Sequence, residues 1–372
     1  MTEAMASGGH EQVVFASDVA VGLRVIIAVH STALGPALGG IRFWRYDCED
    51  DALLDALRLS EAMTLKAAAA GLHQGGGKAV VLVDDPDLPR SPAFLHALGR
   101  SIHELGGRYL AAEDVGATTR DMDLIAEVTP WVTGIDPARG GSGDPSPMTA
   151  VGVVAAMRAA LAFLDGGSTL AGRRIAVQGA GHVGAHLVAR LAEAGASVVV
   201  ADVNPARARA IADANGVEVV HADEIIAEEC DVLAPCALGS VVTCETVTRL
   251  RCRAICGAAN NQLGGDAVED LLVEHGIVSV PDFVANAGGI INIAEEFTGY
   301  SRGRALERTE RIGSTVAEVL ELARAQGLPP GRVATRMARA RIALEGDGRR
   351  WEPGDPAAWT GGAPLRSLRP SN

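Results

Sequence analysis

The segment Gly179-Ala180-Gly181-His182-Val183-Gly184 has the spacing of a dinucleotide-binding turn, and Asp202 follows about 20 residues further on. Gly179 permits a tight turn, Gly181 lets backbone approach a pyrophosphate, and Gly184 lets helix and strand pack closely, with the phosphate at the helix N-terminus. Asp202 would accept hydrogen bonds from the adenosine ribose and repel a 2′-phosphate, so the expected cofactor is NAD rather than NADP. Such a turn leaves the reaction itself open. The groups able to supply chemistry lie earlier: Lys66 and Lys78 in MTLKAAAAGLHQGGGKAVV, and Asp114 in YLAAEDVGATTRDMD. Lysines normally sit in solvent. These two are set among apolar and glycine residues, neighbours that a surface role would not need. GGGK is not a phosphate loop, since Leu72 and Ala79 stand where glycine and Ser or Thr would be needed. His73 and His182 have no second ligand at metal spacing, and no metal is expected.

Several elements must position these groups. Residues 12–16 (QVVFA) and 23–30 (LRVIIAVH), parted by a turn-prone stretch, form an expected hairpin. Helical periodicity covers 50–70, and a strand, KAVVLVDD, follows the glycines. A helix is expected near 92–104, a strand in RYLAAEDV and a helix near 121–128. The Gly- and Pro-rich loop DPARGGSGDPSP then reads as a domain boundary. Beyond it, strands RRIAVQGA, 197–202, DVLAPCA, AICGAA and IVSVPDF alternate with helices, as parallel βα units demand.

The expected fold class is α/β: an N-terminal α/β domain with a mixed sheet and a C-terminal NAD-binding Rossmann domain, separated by a cleft. The limits read as 1–143, joined by a returning helix at 327–346, then 144–326, with a flexible tail over 347–372. A length of 372 residues suits two cores. The formal net charge of -13 opposes nucleic-acid phosphates. No signal segment or uncharged apolar run of about 20 residues stands out, so a cytoplasmic protein with no membrane partner is expected. The six cysteines offer no paired CxxC spacing and read as reduced, mostly core thiols.

From about residue 10 to about residue 345 the chain resembles the leucine, valine, phenylalanine and glutamate dehydrogenase family. The resemblance rests on the stretches above together with LGPALGGIRF, GDPSPMTAVGV, APCALG, GAANNQL and PDFVANAGGIIN. It implies that Lys66 binds the substrate α-carboxylate, that Lys78 polarises the carbonyl or activates water, and that Asp114 is the general acid/base. Two ammonium groups near each other would destabilise one another's charge and lower the pKa of Lys78. By the same resemblance, Thr149, Cys236 and Ala237 touch the nicotinamide half of the cofactor beside the turn residues, His182 and Val183 included. Asn261, Gly39 and Gly40 are further substrate contacts. Leu38 stands where glutamate dehydrogenases carry a lysine, and with Ala112, Ile290 and Ile293 it describes a compact apolar slot suited to valine, leucine or isoleucine. The expected activity is NAD-dependent oxidative deamination of a small aliphatic, branched-chain L-amino acid. A phenylalanine or broad-specificity dehydrogenase, or a catalytically silent NAD-binding regulator, is the alternative. A homo-oligomer is implied, as are hinges near Pro145 and Gly288. The chain departs from the pattern in carrying Ile41 where threonine is usual.

Overall fold

The computed structural model describes residues 2–237 and 239–346, so the tail expected to be flexible lies outside the described residues. By their contacts the residues fall into two compact units. The first holds Met1–Asp144, Ile293–Arg302 and the stretch from Ala338; the second holds Pro145–Asn292 and Gly303–Met337. The chain thus returns to the first unit at Ala338, inside the last helix, where the sequence suggested residue 327, and visits it once more at Ile293–Arg302.

The first unit runs α1 (Thr2–Ser7), β1 (Gln12–Asp18), β2 (Leu23–Ser31), β3 (Ala37–Trp44), α2 (Glu49–Ala69), β4 (Gly75–Leu82), α3 (Pro92–His103), β5 (Tyr109–Glu113) and α4 (Thr119–Ile125). Its five-stranded sheet has the order β1-β2-β4-β3-β5. The hairpin β1–β2 and the β2–β4 pair are antiparallel, whereas β3 runs parallel to both β4 and β5. Side chains alternate between the two faces of a strand. On one face Ile27, Ile41, Phe43, Ala79, Val81, Tyr109 and Ala111 pack with Leu95, Leu98 and Ile102 of α3. On the other, Ile26, Ala28 and Val80 pack with Ala52, Leu53, Ala56 and Leu57 of α2. Ser91 caps α3 ahead of Pro92, and Thr118 with Asp121 closes a capping box on α4, which fixes where the chain turns after Asp114.

The strand β3 was not foreseen, because its paired glycines break a β pattern. They are required by crowding: a Cβ on Gly39 would run into the Gly77 carbonyl, and one on Gly40 would lie 2.5 Å from the Asp114 Cβ. Ile41 is fully buried on the α3 face, so the usual threonine would bring a hydroxyl to an apolar core there.

The second unit runs α5 (Ser146–Asp165), β6 (Arg174–Gln178), α6 (His182–Glu193), β7 (Ser197–Ala201), α7 (Pro205–Asn215), β8 (Glu218–Val219), β9 (Cys230–Pro235), β10 (Cys252–Ile255), α8 (Asp266–Glu274), β11 (Val278–Ser279), α9 (Asp282–Ala285), α10 (Gly288–Ala294), α11 (Arg302–Glu310), α12 (Ile312–Gln326) and α13 (Pro330–Gly346), with α10, α11 and α13 including residues counted above at the crossings. Its six-stranded parallel sheet has the order β11-β10-β9-β6-β7-β8, a doubly wound arrangement whose reversal beside β6 creates a crevice at the strand ends. Helix α5 is long and apolar enough to cross a membrane, yet more than half of its apolar window is buried, and it packs against α6 and α12 as a core helix. Gly288, proposed above as a hinge, is tightly packed, since a Cβ there would strike the Met148 carbonyl.

All six cysteines are free. Cys230, Cys252 and Cys256 are buried as expected, but Cys48 and Cys244 are exposed and Cys236 is intermediate.

Candidate active site

Period-two alternation places Leu38, Gly40 and Arg42 of β3, Lys78 of β4, and Ala112 of β5 on the sheet face covered by α2, with Asp114 just past the end of β5. Leu38 lies opposite Gly76 and Leu110, and Gly40 opposite Ala112. Gly39 falls on the other face, where its carbonyl accepts the buried Tyr109 hydroxyl at 2.7 Å. A Cβ on Gly77 would meet the Tyr109 ring and one on Gly76 would meet Thr64 of α2. The glycines therefore let Tyr109 approach one face of β4 and helix α2 the other.

Lys78 is only 3% exposed, and its Nζ donates to Asp114 Oδ2 at 2.7 Å. The same oxygen accepts from Arg42 Nε at 2.9 Å. Burial by itself would push the Asp114 carboxyl up; the Lys78 ammonium and Arg42 guanidinium outweigh it and bring it down to about 2. Burial and the Arg42 charge push the Lys78 amine below its ordinary range, with Asp114 pulling the other way. The expected direction is thus present, and Arg42 is a neighbouring cation that contributes to it. Arg42 was missed because nothing in its local sequence distinguishes it; only the register of β3 against β4 and β5 reveals its place.

The loop after Asp114 is held from the other side. Gly116 has φ 78°, where a Cβ would lie 2.7 Å from the Phe43 carbonyl oxygen, and Arg90 donates to the Gly116 carbonyl at 2.6 Å while stacking 4.0 Å from the Phe43 ring centre. Glu113, next to Asp114, is raised to about 7 by burial, with Asp144, Asp121 and Glu296 adding to it against a Thr119 hydrogen bond.

Lys66 occupies the last turn of α2 and is partly buried. Leu38 and Ala112 are buried, at 0% and 1% exposure. Ile293 belongs to the first unit and Ile290 to the second. Asn261 also lies in the second unit, exposed, with φ 52° and its carbonyl accepting from Ser240, itself at φ 63°. Two non-glycine residues in the left-handed region thus mark facing loops beyond β9 and β10.

In the second unit, Gly179 has φ 107° and a Cβ there would lie 2.7 Å from the Ala237 nitrogen, so the turn and the chain at Cys236 and Ala237 are in contact. A Cβ on Gly184 would collide with the Gly179 carbonyl, whereas one on Gly181 would meet nothing within 4 Å. Open space therefore lies in front of the first turn of α6, where His182 is exposed and Val183 half-buried. Asp202 Oδ2 accepts from Ala180 N at 2.7 Å and Oδ1 from Asn204 N at 2.8 Å, which sets its carboxylate beside the turn. An adjoining cavity of about 340 Å³ is lined by Gln178, Asp223, Ile225, Ile226, Pro235 and Val241. Gln178 Oε1 is buried without a hydrogen-bond partner and offers an acceptor to whatever fills this cavity. The turn, the helix end, the acid and this cavity fit a dinucleotide. Thr149, buried on α5, donates to the Pro145 carbonyl at 3.1 Å and abuts Gly289. Burial pushes the Cys236 thiol up to about 12, which disfavours the thiolate. Among the described residues, no group of His, Cys, Asp and Glu is placed to hold a metal ion.

Residues 10–130 match the model of the Glu/Leu/Phe/Val dehydrogenase dimerisation domain, and residues 140–219 and 204–319 match that of Glutamate/Leucine/Phenylalanine/Valine dehydrogenase. The chain is 48% identical over 335 residues to the leucine dehydrogenase of Thermoactinomyces intermedius, covering 90% of this chain and 91% of that one. It is 45% identical over 339 residues to the valine dehydrogenase of Streptomyces albus, covering 90% and 93%. The crystal structure of L-tryptophan dehydrogenase from Nostoc punctiforme is similar with a TM-score of 0.80 and 37% identity, over 93% of this chain and 99% of that one. With both units matched in order, the chain belongs to the Glu/Leu/Phe/Val dehydrogenase family of NAD(P)-dependent amino acid dehydrogenases.

Proposed function

We propose that this chain is an NAD-dependent dehydrogenase that oxidatively deaminates a small aliphatic, branched-chain L-amino acid to the 2-oxo acid and ammonia, and runs the reverse reductive amination. The observation that carries the reading is the buried Lys78–Asp114 pair on the same sheet face as Leu38 and Ala112, in a chain so similar to leucine and valine dehydrogenases. A buried amine of lowered pKa held on a carboxylate gives up its proton more readily than a solvated lysine does.

Lys66 pairs with the substrate α-carboxylate, and Leu38, Ala112, Ile290 and Ile293 receive the side chain, with Gly39, Gly40 and Asn261 as further contacts. When bound, the nicotinamide supplies the acceptor for hydride from the substrate α-carbon. Lys78 then assists attack of water on the resulting imine carbon, and Asp114 moves protons between that water and the departing ammonia. Gly179, Gly181, His182, Val183 and Gly184 hold the pyrophosphate, Asp202 the adenosine ribose, and Thr149, Cys236 and Ala237 the nicotinamide half. Asp202 repels a 2′-phosphate, which favours NAD.

An acidic substrate side chain would meet Leu38 rather than a cation and lose its hydration uncompensated. The likeness to a tryptophan dehydrogenase makes aromatic substrates the second reading. The match of residues 10–130 to a dimerisation domain supports a homo-oligomer. The test is a screen of NAD reduction with valine, leucine, isoleucine, phenylalanine, tryptophan and glutamate. Highest kcat/KM on a branched-chain substrate is expected. Preference for a ring would establish the aromatic reading, and no absorbance rise with any of them would leave a silent NAD-binding protein.

A further inference from the structure

The two donors to Asp114 share one oxygen, Oδ2: Lys78 Nζ at 2.7 Å and Arg42 Nε at 2.9 Å. Oδ1 is the oxygen left to accept from water or ammonia. Arg42 does not end there. Its NH1 donates to Asp55 Oδ2 on α2 at 2.9 Å, and that oxygen also accepts the Tyr46 hydroxyl at 2.6 Å, while Arg58 donates to Asp55 Oδ1 at 3.0 Å. A guanidinium is planar, so fixing one nitrogen on Asp55 fixes the direction in which Nε points. The chain of contacts is shielded, with the Arg42 and Asp55 side chains 19% and 13% exposed.

We propose that Arg42, anchored on Asp55, is a positioning residue for deamination: it holds Asp114 by one oxygen beside Lys78, turns the other towards the reacting groups, and supplies the second positive charge at the pair. This rests on the dehydrogenase reading above.

The charges facing Lys78 include Asp114 beyond β5, Arg42 on β3 and Asp55 on α2. Around them, Tyr46 and Arg58 bind Asp55, Lys66 lies in the last turn of α2, His30 of β2 bonds Thr64, and the Tyr109 hydroxyl is spent on the Gly39 and Gly40 carbonyls. Arg42 pushes the Lys78 amine down in pKa and Asp55 pushes it up, so the two ends of the anchor act with opposite sign.

The experiment is the pH profile of NAD-dependent valine oxidation by the full chain and its variants. Deamination needs Lys78 without its proton, giving a limb that rises with pH. Arg42→Gln is expected to lower kcat at least about tenfold and move that limb alkaline by about half a pH unit or more. Arg42→Lys retains the charge but cannot span both carboxylates. Its limb stays in place while kcat still falls. Asp55→Asn frees the anchored end of Arg42, so kcat falls as in Arg42→Lys, with KM for valine within about twofold. An active parent whose Arg42→Gln variant keeps both kcat and limb overturns the inference. So does an Asp55→Asn variant that keeps the parent's kcat, and if Arg42→Gln does not fold, unchanged kcat in both Arg42→Lys and Asp55→Asn overturns it. A parent inactive on every amino acid defeats the dehydrogenase reading instead.

Discussion

A lysine at 3% exposure keeps its charge only because the Asp114 carboxylate pairs with it, and that arrangement carries the first predictions. Lys78→Ala is expected to lower kcat by about 10³-fold or more while NAD affinity, read by fluorescence titration, is unchanged; appreciable residual turnover would remove Lys78 from its role. Leu38→Ala opens volume in the proposed slot, and the phenylalanine-to-valine ratio of kcat/KM should rise about tenfold, whereas an unmoved ratio would show that Leu38 does not meet the side chain. Glu113 yields a stability prediction of definite sign. Its ordinary value of 4.5 is raised to about 7 by burial and the surrounding carboxylates, so its folded form holds a proton that the unfolded form has lost between those pH values. That contribution is complete below 4.5 and disappears as pH rises through 7. Glu113→Gln should therefore lose less Tm than the parent between pH 5 and pH 8, about the range spanning the change. Equal losses would place the titration elsewhere.

At the scale of elements, legibility in the sequence followed periodicity. The β1–β2 hairpin and the β6–α6 turn were readable because alternation, glycine spacing and Asp202 are local signals. Lys78 and Asp114 were readable by their setting and by resemblance. Strand β3 was not, since Gly39 and Gly40 look like a loop until the neighbouring Gly77 carbonyl and Asp114 Cβ are seen to leave no room for side chains. Nor was Arg42, whose partners Asp55 and Asp114 lie 13 and 72 residues away and meet it only through sheet register and helix packing. The crossing at Ala338 lies inside the continuous helix α13, and a helix interior carries no boundary signal. The same crowding predicts that Gly40→Ala, whose Cβ would press on the Asp114 Cβ at 2.5 Å and the Glu113 carbonyl oxygen at 2.8 Å, costs about 1 to 3 kcal/mol of stability and most of the turnover. Chemical denaturation beside an activity assay checks both, and full activity would show that Asp114 tolerates displacement.

For the whole molecule, two units with separate cores imply two responses to ligand. Calorimetry with NAD at about 100 times its Kd should stabilise the second unit by about 2.7 kcal/mol, raising the transition assigned to it by a Gly184→Ala variant that abolishes the shift. A shift that survives this change would locate the dinucleotide away from the turn. The apolar helix α5 has a different consequence, for synthesis rather than turnover. Its packing partner α12 begins at Ile312, so a ribosome making the chain in order exports α5 long before that partner exists. Until then α6 can cover one flank, and the flank reserved for α12 stays bare on a helix long and apolar enough to pass for a membrane anchor. Chaperone capture at this stage, and aggregation of chains that stop short of residue 312, are the liabilities that follow from burying an early helix under a late one.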